Sequence, residues 1–187
     1  MVWNAAHIHL MINHLPVFAP VLAIPLLLLA LWKREEKAIF IGAVLLLVLG
    51  AIGGIVSVKT GEKAQDYVEG EQGVSMRALS VHEERAEAAS LTLSLVAIVA
   101  LAALYFKWKR PALLKPEYWI MILLFGAVVA SSVVGFAALK GGEIRHPEIR
   151  PKDETALLQM PGSPARASDA MIHVENEEED DDDDDDD

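Results

Sequence analysis

Five histidines of this chain fall beside the ends of apolar segments: His7, His9 and His14 in the stretch MVWNAAHIHLMINHLP, His82 in SVHEERAE, and His146 in GGEIRHPE. Imidazole is the commonest metal ligand among side chains and an axial ligand of haem. Ionisable groups at membrane depth are costly and mark ion, proton or cofactor sites. The sequence contains no cysteine. That excludes disulfides, thiolate-ligated clusters and zinc sites, and the covalent attachment of c-type haem. Any cofactor must be held by histidine, carboxylate or packing.

Spacing narrows the chemistry. His7 and His14, seven positions apart, share a helix face. His9 and His14, five apart, are rotated by roughly 140° on a regular helix at about 100° per residue. Two ligands from one helix to one metal prefer a spacing of three or four, so ligation is expected to cross between helices, for instance from His14 to His82. The candidate cofactor-binding set is His9, His14, His82 and His146, with Arg85 (and Lys59 or Arg145) as cations for haem propionates. The expected cofactor is haem b, one or two per chain. The alternative is a non-haem metal held by His14 and His82, since Glu62, Glu83, Glu84, Glu87 and Glu143 lie in the same stretches and His with carboxylate suits zinc, iron or manganese. There is no His-Glu-x-x-His, P-loop, nucleophile elbow or dinucleotide fingerprint. An enzyme with its own organic chemistry is not indicated.

The elements that must position these residues read from hydropathy. Of 187 residues 53% are hydrophobic, and the mean hydropathy is +0.32. Four segments are long enough to cross about 30 Å of hydrocarbon, near 14–32, 38–58, 88–106 and 118–139. The expected fold is all-α, an integral membrane four-helix bundle. The first segment lacks a basic lead-in and a small-residue cleavage site, so it is expected to be a retained span. Trp32, Trp108, Tyr118 and Trp119 sit at segment ends, where amphipathic rings prefer the interface. The 33–37 and 107–117 turns together carry seven Lys and Arg. The excess of positive charge places both turns in the cytoplasm. Both termini and all five histidines then fall on the outer, periplasmic side of a bacterial inner membrane.

Local signals refine this outline. Pro16 suits the first turn of a helix capped by Asn13 or His14, with His9–Asn13 as an irregular lead-in and Pro20 and Pro25 as bends. Ser80-Val-His-Glu83 has the pattern of a capping box, which starts the third helix near 80 and puts His82 in its first turn. The 59–79 connection is long enough for a short amphipathic helix acting as a lid. Gly50-x-x-x-Gly54, and Ala127, Ser131 and Gly135, are small residues at four-residue spacing that allow close helix approach or room for a flat cofactor.

The net charge of −11 has one source: residues 175–187 hold 12 of the 27 acids, leaving 15 acids against 16 bases elsewhere. Nothing in this pattern points to nucleic acid. The organisation expected is a bundle over 1–142, a proline-containing periplasmic strap over 143–174, and a disordered acidic tail over 175–187. Such a tail can raise the encounter rate with a basic partner such as a soluble cytochrome c.

His9-Leu-Met-Ile-Asn-His14-Leu-Pro16 resembles the His-Pro-x-x-x-His-Phe-Pro signature of a family of small four-helix bacterial membrane proteins of unknown function. Thr60-Gly61-Glu62 with Ala64, His82 at the start of the third helix, and Gly141-Gly142 followed by His146 match further marks of that family. Leu10 stands for its first proline and Leu15 for its phenylalanine. The resemblance covers about residues 7–146. It implies a four-helix fold and a periplasmic-side histidine set suited to haem or metal, and supplies no reaction. The function expected is that of a membrane-bound b-type cytochrome-like electron-transfer subunit. The alternative is a non-catalytic accessory or assembly subunit of a respiratory or photosynthetic membrane complex.

Overall fold

The computed structural model describes residues 4–33, 36–67, 74–109 and 115–150. They form α1 (Ala5–Ile12), α2 (Leu15–Trp32), α3 (Lys37–Gln65), α4 (Met76–Lys109) and α5 (Pro116–Glu143), followed by one 3₁₀ turn, Pro147–Ile149. No strand occurs among the described residues. Four helices are long and apolar enough to cross a membrane, α1 and α2 counting together as the first. The chain is therefore a multi-pass, all-α protein suited to a lipid bilayer.

Helices α2–α3, α3–α4, α4–α5 and α5–α2 pack in adjacent pairs, closing a four-membered ring, and α1 lies against α3. These helices are apolar on all sides, so hydropathy alone does not select the packed face. Residue size does. The buried positions of α5 are Ile120, Leu123, Ala127, Ala130, Val134 and Ala137, an alternation of three and four residues. On α4, Ala89, Leu93, Ala97, Ala100 and Ala103 form a comparable seam. This is heptad packing, with small side chains that let the backbones approach.

Two groups of small residues behave differently. Gly50 and Gly54 are buried, Gly50 against Ala19 and Pro20 of α2 and Gly54 against Leu93 and Ser90 of α4. The stripe Ala127, Ser131, Gly135 does not pack as a unit. Ala127 is buried, but Ser131 returns its hydroxyl to the Ala127 carbonyl, and a Cβ on Gly135 would meet nothing within 4 Å. A strict four-residue repeat drifts off a seam that alternates three and four.

Helix starts and ends depart from the hydropathic segments. Residues 5–12 are a regular helix, not an irregular lead-in. Asn4 caps it by accepting from the His7 amide (2.9 Å), and a turn at Asn13–His14 leads into α2, which continues through Pro20 and Pro25. Helix α4 begins at Met76, one turn ahead of Ser80. Ser75 makes the start, its hydroxyl accepting from the Ala78 amide (3.2 Å) while its own amide donates to the Ile144 carbonyl (3.1 Å). Of the 59–79 connection, residues 59–65 extend α3 and 76–79 open α4, while 68–73 lie outside the described residues, as does any lid helix formed there. After α5 the chain folds back: the Arg150 guanidinium donates to the carbonyls of Glu143 (2.6 Å) and Ile144 (2.7 Å). The rest of the strap and the acidic tail lie outside the described residues.

The core divides along the bundle. One cluster holds the large side chains Phe40, Leu27, Leu47, Ile120 and Leu123, near the α2–α3 and α4–α5 turns. The other, nearer the opposite end, holds Ala51, Ala89, Leu93, Ala97, Ala130, Val134 and Ala137. Bulk is concentrated away from the end that carries His9 and His82.

Candidate functional site

His9 stands on α1, facing α3. Its Nδ1 lies 2.9 Å from the Ser57 carbonyl oxygen. A carbonyl only accepts, so Nδ1 carries the hydrogen and donates, and Nε2 is left with its lone pair. The ring lies over Gly61, where a Cβ would come within 3.1 Å of Cε1. A side chain there would press on the ring, which would have to give by a few tenths of an ångström. The Thr60 hydroxyl lies 3.4 Å from the same Nδ1 and donates to the Val56 carbonyl (2.8 Å).

His82 repeats the arrangement in the second hairpin. From α4 its Nδ1 donates to the Ala137 carbonyl of α5 (2.9 Å), which again leaves Nε2 free to accept. Its ring lies over Gly141, where a Cβ would come within 2.9 Å of Cε1. In each hairpin, then, one histidine is anchored to a carbonyl on the following helix, and the glycine four residues beyond that carbonyl makes room for the ring.

The other candidates sit differently. His14 is exposed, its ring stacked on Phe18 (6.4 Å, 12° between planes), and no hydrogen bond or ring contact joins it to His82 among the described residues. His9 and His82, and not His14, are the histidines bonded to main-chain carbonyls of other helices. His14 lies in the turn between α1 and α2, so the regular-helix rotation expected from the five-residue spacing does not apply to it. His146 follows α5, 62% exposed, with Nδ1 2.9 Å from a Glu148 carboxylate oxygen. His7 is exposed and bonded to the Asn4 side chain. Arg85 lies over the Phe136 ring, 5.8 Å from its centre.

Two polar atoms near the His9 anchorage, Ser57 Oγ and Asn13 Oδ1, are buried without a hydrogen-bond partner among the described residues. Buried polar groups are nearly always satisfied by protein or by water. Among the described residues no three His, Asp or Glu side chains gather into a metal-binding group.

Sequence reasoning found both histidines but not what holds them. Ser57 and Ala137 act through main-chain oxygen, which leaves no trace in side-chain chemistry. The recoverable signal was Gly61 and Gly141, each near the C-terminal end of a helix whose partner helix carries a histidine.

A comparison with known protein families, curated proteins and solved structures finds no match to this chain.

Proposed function

We propose that this chain is a membrane-bound, b-type cytochrome-like electron-transfer protein in which His9 and His82 would hold a haem b through their Nε2 atoms. One observation carries the reading: both imidazoles donate from Nδ1 to a main-chain carbonyl, Ser57 for one and Ala137 for the other. Histidine ligands of metals typically donate the second ring hydrogen in this way, which fixes the tautomer and ring orientation and raises the basicity of Nε2. The donor set, two neutral nitrogens and no thiolate, would suit a haem b. Gly61 and Gly141 let the rings lie close to the helix backbones, and Ala137 of the small-residue core carries the carbonyl that holds His82.

When bound, haem supplies a one-electron couple. The chain's own part would be to fix two imidazoles in one tautomer and to hold them on helices packed against one another. The topology expected from the charged turns places this site at the periplasmic face of a bacterial inner membrane. There the acidic residues 175–187 can attract a basic soluble cytochrome c, and the apolar outer faces can pack against other subunits of a membrane complex. The likeness of His9–Pro16, His82 and Gly141–His146 to the four-helix family agrees with this reading.

Purification of the full chain in detergent after expression with ample haem, followed by determination of iron and protoporphyrin per chain, tests the proposal. One or two haems per chain are expected; a preparation with neither iron nor porphyrin overturns it.

A further inference from the structure

Arg85 follows His82 by one turn of α4, Phe136 precedes Ala137 on α5, and Lys140 precedes Gly141, so all three border the anchorage of the His82 ring. Two cations from two helices converge on one aromatic ring: the Arg85 guanidinium lies 5.8 Å and the Lys140 ammonium 5.7 Å from the centre of Phe136. Their charges are not equally matched. Lys140 donates to both oxygens of the buried Glu143 carboxylate (2.8 and 2.9 Å). Arg85 has no carboxylate or carbonyl partner among the described residues. Both helices run on beyond this level, α4 to Met76 and α5 to Glu143. Arg85 is exposed, in the polar stretch 80–87 that precedes the apolar segment of α4, where a guanidinium can meet an anionic group at the membrane boundary. Phe136 is 48% exposed, so the two cations open outward from the bundle.

We propose that Arg85, Phe136 and Lys140 form an oxyanion site beside His82. Arg85 supplies a planar fork of donors matched to carboxylate or phosphate, Phe136 orients the fork through its ring face, and Lys140, held by Glu143, adds positive potential without leaving a bare charge. The oxyanion comes from one of two sources. A porphyrin propionate rests on the haem reading above; the phosphate of an anionic phospholipid does not.

The full chain is compared with Arg85→Gln, Arg85→Lys and the double variant Lys140→Gln/Glu143→Gln, the last chosen because Lys140→Gln alone strands a buried carboxylate. Each is titrated with haem and with haem dimethyl ester, followed by the Soret band. Each is also reconstituted in nanodiscs of phosphatidylcholine with and without phosphatidylglycerol, followed by lipid retention in native mass spectrometry. Helical circular dichroism establishes that the variants fold. If the carboxylate is the ligand, the unaltered chain prefers haem to its dimethyl ester by roughly tenfold, the usual worth of a charge-assisted hydrogen bond. Arg85→Gln abolishes that preference and Arg85→Lys restores part of it. If the phosphate is the ligand, retention of phosphatidylglycerol is lost in Arg85→Gln instead. Should the unaltered chain bind no haem at all, the haem reading falls and the phosphatidylglycerol comparison alone decides this site. Arg85→Gln indistinguishable from the unaltered chain in every titration that registers binding overturns the proposal.

Discussion

The Nδ1 hydrogen of His82 is donated to the main-chain oxygen of Ala137 over 2.9 Å, and the ring rests where a side chain on Gly141 would stand. Orientation and tautomer of this imidazole are therefore set by the backbone of α5, and by a glycine rather than by a partner side chain. His9 obeys the same rule through Ser57 and Gly61.

Gly141→Ala places a Cβ 2.9 Å from Cε1 and 3.1 Å from Nδ1 of His82, a distance at which the ring must move. Gly61→Ala is less severe, at 3.1 and 3.3 Å from His9. Haem affinity is expected to fall by roughly tenfold or more for Gly141→Ala, the range found when a ligand's outer support is disturbed, and by less for Gly61→Ala. Gly135→Ala, with open space around it, should leave haem binding unchanged and stabilise α5 by about 0.5–1 kcal/mol. Haem titration beside thermal unfolding checks all three. Equal effects of Gly141→Ala and Gly135→Ala on haem binding would contradict the close approach.

Thr60 offers its hydroxyl oxygen as a second, longer acceptor to His9 Nδ1 while donating to Val56. It acts through His9, as a positioning residue. Acceptors on the Nδ1 hydrogen raise ligand basicity and favour oxidised iron. Thr60→Val should therefore raise the midpoint potential with haem content unchanged, and Thr60→Ser should restore it. A potential unmoved by Thr60→Val would limit Thr60 to helix structure.

Ser75 and Ser80 make a paired test of where α4 begins. Ser75→Ala removes the acceptor for the Ala78 amide and should cost about 1 kcal/mol, as loss of an N-cap does. Ser80→Ala lies within the helix and should change stability little. Chemical unfolding in detergent followed by helical circular dichroism distinguishes them; a larger loss at Ser80 would return the cap to the position the sequence pattern suggests.

Glu148, fully exposed beyond α5, has its carboxyl held below the ordinary value, first by its own backbone amide and then by the His146 hydrogen bond, with smaller contributions from the charges of His146 and Arg150. A carboxylate whose folded pKa is lowered contributes stability above its unfolded pKa and loses it as pH falls through the folded one. The His146–Glu148 contact should accordingly persist at neutral pH and open under acid. Carbon-13 NMR titration of the Glu148 carboxyl in the unaltered chain and in His146→Ala measures this. The pKa should rise in the variant but stay below the ordinary value, since the backbone bond remains.

Much of the fold is legible in the sequence because bilayer thickness dictates segment length: four apolar runs become four spanning helices. Helix ends are less legible. Ser80-Val-His-Glu83 satisfies a local capping pattern, yet the helix starts at Met76, because Ser75 is tied to Ile144, a contact far away in sequence. Helix α3 outruns its apolar segment to Gln65, since a helix already nucleated extends readily through Lys59–Lys63 once clear of lipid. Among the site residues, type alone pointed to His9, His14, His82 and His146. Which of them turn inward depends on where α1 ends, at Asn13–His14, and on how α1 and α4 pack against their neighbours, neither of which residue type reveals.

The central claim is that His9 and His82 are the paired ligands. Visible spectra of the purified chain, oxidised and then dithionite-reduced, test it most directly when recorded beside His9→Ala, His82→Ala, His14→Ala and His146→Ala. The expected result is a low-spin b-type spectrum, with a Soret band and sharp reduced α band, lost or converted to a high-spin form in His9→Ala and His82→Ala and retained in His14→Ala and His146→Ala. Absence of a Soret band from the haem-supplied unaltered chain, or an unchanged low-spin spectrum in His82→Ala, would contradict it.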